Sequence, residues 1–471
     1  MVKVPSIKEK SVQINLHADY YGTIAEIGGG QETARHLFQA GGASNTVAKS
    51  VSAYDKSYSD YFYNDGTSAR YVSEERLMKM VNYEYGELLK ILNVKCHKRF
   101  FVFANTVETL NFSKTNQGNG WLGIAYQGTN RNKPNCMYIH VKLHENDTLL
   151  QQYTLGTLGI NLIYGALFLG HNPRSMLLSL LDNLDTFRAE IDYVYIDGPD
   201  VSHYDIRLLN LLLVSNGMTP AIMFDPNGQV KQPSDLLYKK NVLLMRGYFR
   251  PINNMALEYF DTSLSVFKQD EDYTIENTVA FCEISLKNLI QHEELNESDF
   301  LHRVDMLNLA GQYVMVSNFY RYFKLVEYFG QFNMLKLRIV LGLSTFKKIF
   351  HASQYTDMGG GLLEAMGKLF QQKVKLYLFP QVQSETGVEI TPNEYCFEGE
   401  YRILWNYLIA TRKLLVMPSI NSQNHCISSD DMIKMIHRSD AELQSLLPAQ
   451  VLKAIIQNKL FGYGSEMEVE T

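Results

Sequence analysis

Residues 241–260 read "NVLLMRGYFRPINNMALEYF", an apolar run that breaks at a glycine and a proline and then resumes at helical spacing. A strand that turns into a helix over so few residues leaves backbone N–H groups unpaired at the helix start, and α/β proteins hold phosphates at such turns. The stretch contains no lysine or histidine and a single glycine. Any anion held there would be bound by backbone and by arginine.

A second turn of this kind lies in "TIAEIGGGQETARHLF", where a short strand meets Gly28, Gly29 and Gly30 and a helix opens at Gln31. A glycine-rich turn opening a helix can receive an anion. The spacing resembles the E-x-G-x-G-x-G turn of methyltransferases, but Glu32 stands at the last glycine position and would repel a phosphate. In "GGASNTVAKS" the pair Lys49-Ser50 follows Gly42, yet Ala48 replaces the glycine that a phosphate-wrapping loop needs, so no Walker motif is present. Gly28, Gly29, Gly30 and Lys49 form the second candidate anion site.

Other chemistry-bearing residues read as structure. Asp197, Asp200 and Asp205 follow the strand "EIDYVYIDG", where turn and cap roles are commoner than a cation site. His140 and His144 share the polar face of "CMYIHVKLHE" with Lys142, without further ligands at zinc spacing. No G-x-S-x-G or H-E-x-x-H occurs, and no metal site is expected. Tyr54, Tyr58 and Tyr61 lie on one helical stripe, which suits a subunit interface or half-buried packing and points to a homo-oligomer.

The elements that must position these residues change along the chain. Residues 1–90 read as mostly helical, with "QETARHLFQA" and "SEERLMKMVNYEYGELLKIL" at helical spacing and Ser73 as an N-cap. Residues 91–238 carry strands at "RFFVFANTV", "CMYIHVKLHE", "EIDYVYIDG" and "PAIMFD", with helices at 155–184 and "DIRLLNLLLVSNG"; the strand–helix–strand rhythm argues for parallel pairing. The N-terminal half is therefore α+β or α/β. Residues 241–394 repeat the rhythm through "NVLLMRGYF", "NTVAFCEIS", "QYVMVSN", "LKLRIVLG" and "VKLYLFP", the signature of an α/β, parallel, doubly wound sheet. Residues 395–471 read as helical.

Composition narrows the partners. The 471 residues carry a net charge of -6 with both signs interspersed, which disfavours nucleic acid as a partner. The run 148–170 is uncharged but holds two glutamines, an asparagine and four glycines, so it reads as a buried helix and no membrane span is expected. Five cysteines without a CxxC pair, and an N-terminus without an apolar leader, point to the cytoplasm.

The opening stretch resembles the first motif of nicotinamide/nicotinate-mononucleotide adenylyltransferases, G-S-F-[ND]-P-x-T followed by N-M-H-L-R-x-F. Gly247, Phe249, Pro251, Asn254, Met255, Leu257 and Phe260 match it. "HRVDMLNLA" is similar to the family's H-R-x-x-M-x-x-L-A helix, and "GLSTFKKIF" to its S-S-T-x-[IV]-R loop. The whole chain is also similar to a bacterial family of soluble proteins that carries the nicotinate-nucleotide adenylyltransferase label.

The resemblance implies a Rossmann-like nucleotidyltransferase domain using ATP with magnesium. It also implies phosphate contacts from Gly247, Tyr248, Phe249, Arg250 and Asn254, and a triphosphate held by Ser344, Thr345, Lys347 and Lys348. It covers residues 241–350, about a quarter of the chain. Three positions depart from the family. Ala256 replaces the motif histidine, Tyr248 the small serine, and Arg250 the acid or amide before proline. Loss of one preorganised donor costs about 10²–10³ in rate.

Three readings follow. The domain keeps the fold and binds a nucleotide without transfer, serving as scaffold, sensor or assembly subunit. Alternatively it is an active adenylyltransferase joining ATP and a mononucleotide into a dinucleotide with release of pyrophosphate. In the third reading the activity is unrelated and centres on the glycine-rich N-terminal segment.

Overall fold

A computed structural model describes residues 4–92, 97–271, 273–291, 294–371, 373–382, 389–393, 397–420 and 427–465. The chain divides into two compact units, Met1–Thr219 and Pro220–Thr471. Cys136 and Cys282 are free thiols, while Cys96, Cys396 and Cys426 lie outside the described residues.

In the first unit, α1 (Ile7–Asn15), β1 (Tyr20–Gly28), α2 (Glu32–Ala40), β2 (Val47–Val51), α3 (Lys56–Tyr63), α4 (Glu74–Leu92) and β3 (Arg99–Glu108) come first. They are followed by β4 (Asn119–Tyr126), β5 (Asn135–Leu143), α5 (Thr148–Leu169), α6 (Pro173–Leu178), β6 (Ala189–Asp197) and α7 (Ile206–Ser215). The six strands form one sheet in the order β2-β1-β3-β4-β5-β6. Strands β2, β1 and β3 are parallel, and β3 to β6 run as an antiparallel meander. The region read as mostly helical thus supplies β1 and β2 to the same sheet as the later strands.

Helix α5 packs on one face of this sheet, with Leu155, Leu158, Leu162 and Ile163 fully buried beside Ile124 and Ile139. Burying such a side chain stabilises by about 1.5–3 kcal/mol. The polar residues of the helix are paired inside: Gln151 accepts from the Leu110 N–H at 2.8 Å, and Asn161 donates to the Leu180 carbonyl at 2.8 Å. A Cβ on Gly159 would lie 2.1 Å from Thr33 Oγ1, so the glycine is what lets α2 approach α5. No helix among the described residues is long and apolar enough to cross a membrane.

The polar stripe of β5 is buried. His140 Nδ1 lies 2.6 Å from Asp192, and Lys142 Nζ lies 2.9 Å from Asp192 and 3.1 Å from Glu190. A register shift between His140 and Val141 lets the stripe meet these acids. Against the upward push of complete burial, His140 and Lys142 hold the Asp192 carboxyl well below the usual range.

The second unit opens with β7 (Ala221–Phe224), β8 (Val230–Lys231), α8 (Pro233–Leu237), β9 (Asn241–Arg246), α9 (Asn254–Phe267) and β10 (Thr278–Ser285). A short hairpin, β11 (Ile290–Gln291) and β12 (Glu294–Leu295), precedes α10 (Glu297–Leu309), β13 (Tyr313–Ser317), α11 (Tyr322–Gly330), β14 (Lys336–Gly342) and α12 (Leu343–Ile349). Then come α13 (Gly361–Leu369), β15 (Val374–Phe379), the hairpin β16 (Gln381–Val382) and β17 (Glu389–Ile390), α14 (Gly399–Ala410) and β18 (Leu414–Val416). Helices α15 (Ser429–His437), α16 (Leu443–Leu446) and α17 (Ala449–Asn458) follow, while the region read as helical also supplies the strand β18 to the sheet.

The eight-stranded sheet has the order β18-β15-β14-β9-β10-β13-β7-β8. The six strands from β18 to β13 are parallel. Counting β9 as the first, their order is that of the doubly wound dinucleotide-binding fold, so the mixed α/β class with a parallel sheet holds. One pairing differs from expectation. The strands flanking α7, β6 and β7, lie in different sheets, and each is antiparallel to its neighbour. Spacing signals a strand but not which sheet edge it joins. Three lysines fasten the amino-end loops by donating to carbonyls: Lys240 to Glu276, Lys373 to Met334 and Lys413 to Gln371, at 2.7–2.8 Å.

Candidate functional site

In the second sheet the connections leave β9 toward β10 on one side, and β14 returns on the other. Ligands of open α/β sheets bind outside the carboxyl ends of strands at such a reversal. Met245 pairs with Val340, and two residues further on each strand meets a glycine, Gly247 and Gly342. The fold therefore brings the two motif segments of the sequence, 247–254 and 342–348, to neighbouring strand ends.

Side chains of this chain already occupy much of the first segment. The Gly247 N–H donates to the Glu283 carbonyl at 3.1 Å. A Cβ on Gly247 would stand 2.9 Å from the Phe249 ring, which is buried beneath it with φ of 45°. Arg250 follows through a cis bond to Pro251, and its Nε donates to Asp299 at 2.8 Å. Asp299 also pairs with Arg303, whose Nη1 donates to the Tyr248 carbonyl at 3.0 Å. The arginine of "HRVDM" thus ties α10 to the loop after β9. Burial lowers its pKa, against the pull of Asp299.

The start of α9 is closed in the same way. Asn253 accepts from the Ala256 N–H at 2.9 Å and caps the helix, so the anion-seeking end expected there is met by a neutral amide. Asn254 points elsewhere, donating to the Ser445 carbonyl at 2.8 Å. Tyr248 is 57% exposed, so its ring stands outside the turn rather than filling it.

The second segment differs. Ser344 and Lys348 are exposed, and Thr345 and Lys347 are half-buried, on α12. Gly342 precedes that helix without a side-chain cap. Burial draws the Lys347 pKa down. Beside this edge Arg246 forms a two-pronged pair with Glu283 at 2.5 and 3.0 Å, and its guanidinium lies 4.8 Å from the Tyr322 ring centroid. Glu283, fully buried, also accepts from Ser317 at 2.5 Å. Spacing along the sequence did not single out Glu283 or Asp299. The signal was a lone acid inside the apolar run "VAFCEIS" and one in the first turn of α10.

At the N-terminal glycine cluster an internal carboxyl stands where a ligand was expected. Glu26, on β1, accepts from the N–H groups of Thr33 at 3.2 Å and Ala34 at 3.0 Å, and from Asn105 Nδ2 at 3.0 Å. The N–H groups that the turn was expected to offer a ligand are taken by this carboxyl. Burial pushes its pKa up to about 7, opposed by those hydrogen bonds.

The glycines there answer to close packing on β3: a Cβ at Gly28, with φ of 76°, would meet the Val107 carbonyl at 2.0 Å, and one at Gly30 would meet Asn105 at 2.7 Å. Lys49 does not join them. It pairs through β2 with Thr23, five residues before Gly28, and its ammonium donates to Glu84 of α4 at 2.6 Å. The acids after β6 are likewise dispersed, Asp197 on Lys133, Asp200 on Thr129 and Asn135, and Asp205 capping α7.

Comparison with known proteins gives little overlap. No protein-family model matches the chain, and no curated protein matches it. Among solved structures, a competence-damaged protein (CinA) superfamily protein from Klebsiella pneumoniae shares 11% identity over 35% of this chain and 98% of its own, with a TM-score of 0.27. The competence/damage inducible protein CihA from Agrobacterium tumefaciens shares 18% over 38% of this chain and 99% of its own, at 0.24. A CinA superfamily protein from Escherichia coli shares 13% over 38% of this chain and 96% of its own, at 0.23.

Proposed function

We propose that the second unit is a nucleotidyltransferase-like domain that binds a nucleotide through its phosphates without transferring it, and that the protein works as a sensor or assembly subunit. The observation that carries this reading is the asymmetry between the two motif segments at the reversal of the sheet. Around β9 the binding groups of the resembled family are replaced or engaged. Ala256 offers only a backbone N–H that Asn253 already accepts, and Arg250 is held by Asp299. On α12, which follows β14, Ser344 and Lys348 are exposed. Phosphoryl transfer depends on positioning and charge stabilisation at the transferring group, and alanine at 256 supplies neither.

Self-association is part of the reading. Tyr54 precedes α3 and does not share its stripe, but Tyr58 and Tyr61 on that helix are 56% and 73% exposed, and Phe62 packs against them at ring centroid distances of 4.9 and 5.6 Å. Exposed tyrosines of this density suit an interface between copies, and sedimentation velocity on the Tyr58→Ser/Tyr61→Ser double variant tests it. The variant is expected to be monomeric where the natural chain is not.

Isothermal titration with ATP and magnesium tests binding. Lys348→Ala is expected to weaken binding about tenfold, the loss of one charge-assisted contact. Arg250→Ala is expected to act mainly on stability. Equal affinity in the natural chain and Lys348→Ala would overturn the placement of the phosphates.

A further inference from the structure

The first sheet has its own reversal. From β1 the chain passes through α2, which packs with α5, to β2; it then returns through α4, which packs against β3 and β4, to β3 on the other side of β1. Outside the carboxyl ends of β1 and β3 lies a cleft of about 780 Å³. Gly28 and Gly29 border it from β1, and Val107, Thr109 and Leu110 from the end of β3. Ligand sites favour clefts of this size at such reversals.

Two aromatic side chains stand on its rim in an unusual state. Phe112 is fully exposed and Tyr54 is 73% exposed, while Tyr71 forms part of the wall. The loop that carries Phe112 is tied by hydrogen bonds. Asn111 Nδ2 donates to Thr115 at 2.7 Å, Asn116 Oδ1 accepts from the Asn111 N–H at 2.8 Å, and Asn116 Nδ2 donates to the Thr109 carbonyl at 3.0 Å. The loop is also tied to α5 and its approach, with Thr148 donating to the Leu110 carbonyl at 3.1 Å and Lys114 to the Asn146 carbonyl at 2.7 Å. Tyr71 donates to the Tyr54 carbonyl at 3.1 Å, and burial pushes its phenol up to about 12, so it stays a neutral donor.

The polar lining carries no excess of positive charge to hold a phosphate: Glu108 and the Arg35-paired Glu32 contribute two carboxylates, and Lys56 contributes one ammonium. Gln31, Asn111, Thr148 and Gln152 add uncharged donors and acceptors. Aromatic faces together with carboxylates and amides recognise a ring that carries hydroxyls, because the ring stacks and the hydroxyls donate to carboxylate.

We infer that this cleft binds an uncharged, hydroxylated ring molecule, a nucleoside or a monosaccharide, stacked against Phe112 and Tyr54 with its hydroxyls directed to Glu32 and Glu108. The inference stands apart from the reading of the second unit, whose ligand carries phosphate.

Titration calorimetry on the full chain with adenosine, AMP and methyl α-D-glucoside tests it. Adenosine or the glucoside is expected to bind saturably, which identifies the source, and AMP is expected to bind this cleft more weakly than adenosine. Phe112→Ala removes a fully exposed side chain, so its melting temperature should equal that of the natural chain while affinity falls about tenfold, the scale of one stacking contact. Lys348→Ala, in the second unit, should leave this binding unchanged. Absence of saturation by either uncharged probe up to on the order of 10 mM would overturn the inference. So would undiminished binding in Phe112→Ala, or AMP binding that Phe112→Ala weakens and that exceeds that of adenosine.

Discussion

The two sheets carry the same device, a strand that ends in glycine and turns into a helix, and they close it with opposite chemistry. After β1, the helix start receives a carboxyl from the chain itself, Glu26. After β9, the helix start is capped by the neutral Asn253 and the nearby arginines are balanced by Asp299 and Glu283. A strand–turn–helix unit is therefore an anion site only when its N–H groups are not already satisfied. The first turn has lost that capacity outright. Beside the second, the helix that follows the neighbouring strand β14 carries the exposed Lys348 in its last turn.

The largest effect should come from unbalancing the second turn. Asp299→Ala leaves Arg303, 1% exposed, without its carboxylate. Removing one partner of a buried pair costs about 3–5 kcal/mol, read in urea unfolding of the full chain. A loss below about 1 kcal/mol would mean that the pair behaves as a surface contact.

The first turn should resist enlargement. In Gly28→Ala, a Cβ would meet the Val107 carbonyl at 2.0 Å in a left-handed backbone. Overpacking of this kind costs about 1–3 kcal/mol. Gly217→Ala, with φ of 68° but nothing within 4 Å, isolates the backbone contribution and should cost about 1 kcal/mol. Similar losses in unfolding experiments would remove the close-packing explanation for Gly28.

Glu26 distinguishes the turns by pH. Its folded pKa of about 7 lies above its ordinary value of 4.5, so the folded state binds the proton more tightly than the unfolded one. The stability it contributes is fully present below about 4.5 and is lost as pH rises through about 7. The melting temperature of the natural chain should fall over that window relative to Glu26→Gln, which cannot titrate. Parallel profiles for the two proteins would show that the hydrogen bonds from Thr33, Ala34 and Asn105 hold the carboxylate ionised throughout.

Much of the second sheet is legible in sequence because runs such as "NVLLM" and "LKLRIVLG" are apolar, β-branched and regularly spaced by helices. The N-cap at Ser73 is legible too, and its Oγ accepts from the Arg76 N–H at 3.2 Å. What spacing does not carry is which partner a charge meets. Arg250 looks like a phosphate fork until Asp299, 49 residues later, is folded beside it. Glu26 offers a clue, an acid at a buried position of the apolar strand "TIAEI", but nothing local says that its partners are the N–H groups of the following helix. The direction of β6 and β7 is hidden for the same reason. Periodicity records burial, while pairing direction depends on where the chain goes next.

The two turns differ most consequentially in whether the second still supports chemistry. Incubating the natural chain with ATP, magnesium and nicotinate mononucleotide, and measuring pyrophosphate and dinucleotide together with the ATP-induced shift in melting temperature, tests that directly. ATP is expected to raise the melting temperature with no product formed. Formation of pyrophosphate and dinucleotide, or the absence of any shift with ATP, would contradict it.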